Sequence, residues 1–171
     1  MNVTPQKLLW MAGYAARKKP AEGKVQDLFA KALALEDAQG NKLVFVTLDL
    51  IGVPQLMRRA VAERAEREFN LPAASLVLNA SHTHSGPALR TAPLTEADKA
   101  NPRATDAWEY TQKLQDDIVG IIGSAIAEMQ PARLTWNKAR CGFAMNRRAD
   151  YTLPKDRPNA GKAPNPDGPV D

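Results

Sequence analysis

The stretch "NKLVFVTLDL", residues 41–50, decides the fold. Leu43 to Leu48 is an almost unbroken run of apolar, β-branched and aromatic residues, the composition of a strand buried on both faces of a sheet. Gln39-Gly40-Asn41 supplies turn chemistry just before it, so "VQDLFAKALALED", 25–37, reads as a partner strand. The alanines and leucines of that segment suit a helix as well, and the pattern alone leaves both open.

Working outward, residues 54–69 predict a helix. Pro54 can occupy the first helical position, where its missing N–H costs nothing. Met57, Ala60, Val61, Ala65 and Phe69 recur at helical spacing, and Asn70 and Pro72 end the run. "SLVLN", 75–79, follows as a short strand. Residues 88–104 lack periodicity and read as a loop. A second helix runs from about Ala107 to Met129, with Asp106 and Glu109 resembling a capping box. Its apolar stripe is Tyr110, Leu114, Ile118, Ile121, Ile122, Ala125 and Met129, and Pro131 stops it. "RLTWNKARC", 133–141, alternates as a strand does. The order strand–strand–helix–strand–helix–strand predicts an α/β fold with a mixed β-sheet flanked by helices.

Composition narrows the function classes. At 171 residues the chain can bury a hydrophobic core. Its net charge of +4 comes from scattered lysines and arginines interleaved with acids, and aromatics are only 6%. That leaves little material for stacking on single strands and argues against a nucleic-acid partner. Cys141 is the only cysteine, which excludes an intrachain disulfide and a Cys-based zinc knuckle. No apolar run approaches the roughly 20 residues that span a bilayer. The start, "MNVTPQKLLWMAGYAARKK", lacks the charged-then-apolar order of a signal peptide.

The chemistry concentrates in "NASHTHSGP", 79–87. His82 and His84 are the only histidines in the chain and follow directly on the strand at 75–79. In an extended segment residues i and i+2 point the same way, so both rings can face one cavity with Thr83 turned aside. Loops after the carboxyl ends of strands are where α/β sheets place their sites. Neutral imidazoles ligate zinc, but a catalytic zinc takes three protein ligands plus water, which two histidines do not complete. Asp49, at the end of the preceding strand, is a candidate ligand or acceptor for a ligand's second nitrogen. Two other readings stand beside this one. Both histidines could be solvated or tie down a loop; or Ser81 or Ser85 could pair with a histidine as a nucleophile, although no G-x-S-x-G elbow surrounds them.

The motif has company. "WMAGYAAR" (10–17), "FAKALALED…NKLVFVTLDL" (29–50), "VLNASHTHSGP" (77–87) and "MNRR" (145–148) occur in this order. Together they resemble the N-terminal part of the catalytic domain of neutral/alkaline non-lysosomal ceramidases and their bacterial relatives. The most specific element is T-H-T-H-S-G-P, with Ser81 here in place of the first Thr. The resemblance implies a zinc-dependent amidohydrolase that cleaves the amide of ceramide into sphingosine and a fatty acid. It implies His82 as a zinc (Zn2+) ligand, and His84 as a catalytic residue beside the metal, contacting substrate or the developing oxyanion. It implies Arg147 as the residue holding the polar head of the substrate, with Arg148 as the alternative in register. Gly13, Tyr14 and Asp49 match family positions for which structural or supporting roles are expected.

The same resemblance implies a ceramide-like lipid or other N-acyl substrate, allows peripheral contact with a membrane, and suggests a secreted or periplasmic setting. It points to no protein partner. The family continues its motif with glycines, whereas this chain has Ala88-Leu89-Arg90. Its remaining zinc ligands, a further His, a Glu and a Tyr, lie farther along than this sequence reaches, and no histidine follows His84. The expectation is therefore an incomplete portion of a larger catalytic domain, inactive in isolation. Residues 1–150 would be its N-terminal α/β part. Residues 151–171, with five prolines, two glycines and no hydrophobic pattern, would be a loop leading into a continuation. A related metal-dependent hydrolase of another amide or ester, and a non-catalytic domain that keeps the fold, are the alternatives.

Overall fold

The computed structural model describes residues 1–140. Met1–Pro131 form one compact unit, and 132–140 belong to a second. Among the described residues three strands make one mixed sheet in the order β1-β2-β3. Strand β1 (Ala30–Glu36) runs antiparallel to β2 (Lys42–Leu48), and β2 runs parallel to β3 (Leu76–Ala80). A parallel pair needs a crossover. Helix α1 (Gln55–Phe69) and a 3₁₀ turn (Ala73–Ser75) provide it between β2 and β3. A short helix α2 (Glu96–Lys99) and a long helix α3 (Pro102–Ala127) complete the first unit.

Register sorts the side chains. Ala30, Leu48 and Ala80 form one row across the sheet, Ala32, Val46 and Leu78 the next, and Ala34, Val44 and Leu76 the third. Because strand side chains alternate between faces, all three rows point the same way. Val44, Val46 and Leu48 are buried there with Met57, Val61 and Ala65 of α1 and Leu114, Ile118 and Ile122 of α3. Each such aliphatic side chain stabilises the fold by about 1.5–3 kcal/mol through its removal from water. The inward alanines of β1 leave room for α3, which packs over that strand. Their alternation with Lys31 and Leu33 resolves the segment as a strand rather than a helix.

The other face differs from the expectation for β2. Phe45 is only half-buried, Thr47 is exposed, and the row Leu33–Phe45–Val77 lies on this open side. Among the described residues both long helices pack on the opposite face, so β2 is buried on one side and not on two.

Helix ends explain three further departures. The stretch 88–104 is not wholly loop. Thr95 accepts from the Asp98 N–H and the Asp98 carboxylate accepts from the Thr95 N–H, a reciprocal cap that starts α2. Helix α3 begins five residues before the expected Ala107: Asn101 accepts from the Arg103 N–H, and Pro102 takes the first helical position. Asp106 and Glu109, the expected capping pair, instead accept from the Lys7 ammonium at 2.6 and 3.1 Å. The expected strand over 133–141 is not formed by its described part. Residues 132–140 carry no strand, and Leu134 and Trp136 are 81% and 82% exposed. An alternating pattern becomes a strand only against a partner, and among the described residues nothing pairs with this one. Cys141 and the boundary expected at residue 150 lie outside the described residues.

The N-terminus is tied in. The Met1 amine donates to the Ala30 carbonyl at 2.8 Å, and the Tyr110 hydroxyl donates to the Val3 carbonyl at 2.7 Å. Burial holds the Tyr110 phenol well above the ordinary tyrosine range. Among the described residues no helix is long and apolar enough to cross a membrane.

Candidate functional site

The histidine loop leaves the carboxyl end of β3 and continues alongside the end of β2. The Ser81 N–H donates to the Leu48 carbonyl at 3.0 Å and the Thr83 N–H to the Leu50 carbonyl at 3.2 Å. The loop is not simply extended, however. His82 adopts φ 59°, a left-handed conformation uncommon outside glycine. The two rings converge through this twist and not through strand alternation. Their Nε2 atoms are 3.5 Å apart, and the ring planes meet at 71°.

Each ring has a distinct environment. His82 Nδ1 lies 2.7 Å from the Ile51 carbonyl, an acceptor, so this nitrogen carries the proton and donates. Its Nε2 is thereby left with a free lone pair, the state a metal ligand needs. His84 Nδ1 is buried without a hydrogen-bond partner among the described residues. A buried N–H left unpaired costs more than a buried bare lone pair. That places the His84 proton on Nε2, facing His82. One imidazole therefore presents an acceptor and the other a donor at the same point.

The segment 10–17 packs against the back of this loop. Met11 forms a bridge with Pro87, the Ala12 N–H donates to the Gly86 carbonyl, and the Ala88 N–H donates to the Trp10 carbonyl at 2.7 Å. Gly13, at φ 103°, lies so close to His84 that a Cβ there would come within 2.5–2.9 Å of its Cγ, Cβ and Cα. The Tyr14 ring meets the His84 ring edge-on at 4.8 Å. Arg17 donates to the His84 carbonyl at 2.5 Å and sits 5.2 Å from the centre of the Tyr14 ring. Gly13 and Tyr14 thus have the supporting place expected of them. Arg17 was not singled out by sequence, because 67 residues separate it from its partner and no spacing rule reaches that far.

Asp49 is not a third donor to the pair. Its carboxylate accepts from the Phe29 N–H at 2.9 Å, while its own N–H donates to the Phe29 carbonyl, joining the end of β2 to the start of β1. Among the described residues no group of three His, Cys, Asp or Glu side chains could hold a metal. One imidazole nitrogen, His82 Nε2, keeps a lone pair at this point, so His82 fits zinc as one member of a ligand set. Arg147 and its neighbour Arg148 lie outside the described residues. A cavity of about 280 Å³ is lined by Leu9, Met11, Leu28, Thr83 and Ser85 among others. Neither histidine lines it.

After the Gly-Pro turn, side chains fill the space. Leu89 packs on the core. The Arg90 N–H donates to the Thr111 hydroxyl, and its guanidinium reaches Asp98 at 2.7 Å. The loop after the histidines is thereby anchored to both α2 and α3.

The chain is similar to known proteins. The Arabidopsis thaliana protein neutral ceramidase 2 is 33% identical over 79 residues, which cover 45% of this chain and 10% of that protein. The crystal structure of neutral ceramidase from Pseudomonas aeruginosa superposes with a TM-score of 0.58 at 26% identity. The match covers 76% of this chain and 21% of that one. A ceramidase complexed with C2 gives the same TM-score at 28% identity, covering 76% of this chain and 20% of the other. The matched parts of the chain thus span about a tenth of the plant relative and about a fifth of each solved structure. Residues 4–162 match the family described as neutral/alkaline non-lysosomal ceramidase, N-terminal. With its mixed α/β sheet and its histidine loop in this frame, the chain belongs to the neutral/alkaline non-lysosomal ceramidase family.

Proposed function

We propose that this chain carries part of the centre of a zinc-dependent amidohydrolase, one that cleaves the N-acyl amide of ceramide or a ceramide-like lipid to sphingosine and a fatty acid. The observation that carries the reading is the pair of Nε2 atoms 3.5 Å apart at the carboxyl end of the parallel strands. His82 is the zinc ligand, because its Nδ1–H is engaged by Ile51 and its Nε2 therefore carries the lone pair. When bound, zinc supplies Lewis-acid polarisation of an amide carbonyl and acidifies water.

The other roles fall to the chain's own side chains. Amide cleavage requires water to add to the carbonyl carbon, a negative oxygen to be stabilised, and the leaving nitrogen to gain a proton. His84 serves the oxygen: a fixed Nε2–H beside the reacting carbonyl is an oxyanion donor that needs no reorganisation. Arg147 holds the polar head of the lipid, where a guanidinium offers several donors to hydroxyl oxygens. Two histidines fall short of the three protein ligands a catalytic zinc takes, so the 171-residue chain binds zinc weakly and turns over little or no ceramide.

Calorimetric titration with zinc, paired with ceramide hydrolysis assays, tests this. Weak binding that His82→Ala abolishes and His84→Ala leaves in place is the expected result. Zinc binding indifferent to His82→Ala would overturn the ligand assignment, and one tight zinc with brisk ceramide turnover would overturn the partial-site reading.

A second reading, hydrolysis of a different amide or ester, is favoured by Ala88-Leu89-Arg90. They follow the histidine motif directly, and Arg90 is anchored there by its N–H on Thr111 and its guanidinium on Asp98. A panel of N-acyl and ester substrates separates the two, and efficient ceramide cleavage would exclude the second.

A further inference from the structure

We propose that Arg17 is a positioning residue for His84, acting through the histidine's carbonyl and through the Tyr14 ring. This rests on the reading of His84 as the oxyanion donor. Three observations carry it. First, Arg17 is partly buried, and its guanidinium contacts are the His84 carbonyl at 2.5 Å, the Met11 sulfur at 3.7 Å and the face of Tyr14. None of these is a carboxylate, and the Arg17 Nε is buried without a partner among the described residues. Among the described residues no salt bridge accounts for its place.

Second, Tyr14 is 61% exposed, yet its ring holds an edge-on contact with His84 at 4.8 Å. An aromatic with so much of its surface in water gains little from burial and would be free to swing unless something anchored it. The guanidinium stacked near its ring is that anchor. The turn from Tyr14 to Arg17, closed by the Arg17 N–H on the Tyr14 carbonyl at 3.2 Å, sets the two side chains side by side.

Third, the constraints on His84 are complementary. Arg17 fixes its main chain, Tyr14 bounds one side of its ring, and Gly13 lets the backbone of segment 10–17 come close enough for both. A site held within a fraction of an ångström needs its supporting residues locked in turn. Loss of Arg17 removes the main-chain bond and the anchor of Tyr14 together, while the His82 ring keeps its own bond to Ile51.

The chain has two histidines, so ring proton–nitrogen spectra of the zinc-free 171-residue chain report each imidazole separately, assigned by His82→Gln and His84→Gln. Arg17→Met is expected to abolish the Tyr14–His84 ring cross-peak and move the His84 ring signals. The His82 ring signals and the core methyls of Val46 and Ile118 are expected to stay in place. Arg17→Lys, which keeps a donor for the carbonyl, is expected to restore the cross-peak in part. An unchanged His84 ring in Arg17→Met would overturn the proposal. Global unfolding in Arg17→Met, with Arg17→Lys behaving identically, would also overturn it, since Arg17 would then serve the fold in general. The contacts are read without zinc. Zinc binding indifferent to His82→Ala would therefore count against the proposed function and leave the contacts of Arg17 with His84 and Tyr14 standing.

Discussion

Ile118 and His84 belong to the same compact unit and are held in opposite ways. Ile118 is fully buried among Val46, Val61, Leu114 and other aliphatics, where position follows from filling space. His84 is half-exposed on a loop, and its position follows from directional contacts: a carbonyl bonded by Arg17, a ring edge met by Tyr14, and a gap left by Gly13. Burial is strong and tolerant of shape within limits. Directional contacts are individually weak but define a geometry that burial alone does not specify. The difference teaches that most of the stability and the site geometry reside in separate parts of this small unit, and the core can be weakened with little effect on the site.

The largest expected effect lies on the buried side. Ile118→Ala should lower the stability measured by urea unfolding by about 2–5 kcal/mol, the cost of lost transfer energy plus a cavity. Below the transition its histidine ring signals should match the parent. Altered ring contacts in the native baseline would mean that core and loop are coupled.

Gly13→Ala attacks the other side. Its positive φ and the close approach to His84 make the substitution strained in both backbone and side chain, with an expected loss of about 1–3 kcal/mol. Here the His84 ring signals should move more than those of any core methyl. A uniform change across the spectrum would break the contrast.

Tyr110→Phe is the mildest, because it removes one hydrogen bond, to the Val3 carbonyl, for about 0.5–1.5 kcal/mol. It also carries a pH signature. Burial raises the folded-state pKa of Tyr110 above the unfolded value of about 10. Above that pH the unfolded chain gives up a proton that the folded chain keeps, so stability falls as pH rises, and it is fully retained below. Unfolding measured across alkaline pH should show this decline in the parent and a shallower one in Tyr110→Phe.

Much of the frame was legible in the sequence, for physical reasons that also mark where legibility ended. The run from Leu43 to Leu48 is a strand, and the helical spacing from Met57 to Phe69 is α1, because both patterns reflect burial along a local period. The strand expected at 75–79 lies one residue later, at Leu76–Ala80. What failed depended on partners. Whether β2 is covered on one face or two is decided by where α1 and α3 pack, and whether 133–140 pairs is decided by a neighbour, neither of which is written in the segment itself. The start of α3 was misplaced because Asp106 and Glu109 imitate a cap, whereas the Asn101-Pro102 pair is the one used.

The site was legible to a similar depth. His82 and His84 were found by their spacing and setting, and they do converge, but by a left-handed residue in place of an extended one. Asp49 was reasonable as a donor until the Phe29 N–H claimed its carboxylate. The contribution of Arg17 had no local signature at all.

The absent methyl at Gly13 has a bearing on how other sequences of this kind are read. A histidine pair followed by Ser-Gly-Pro is easily matched by chance, since it is short and its residues are common in loops. A glycine dozens of residues upstream, required both by its positive φ and by the imidazole it admits, is an independent check on the same geometry. A sequence that keeps the pair but carries any side chain at the position of Gly13 must seat its second histidine differently, and its resemblance to this chain should not be extended to the chemistry.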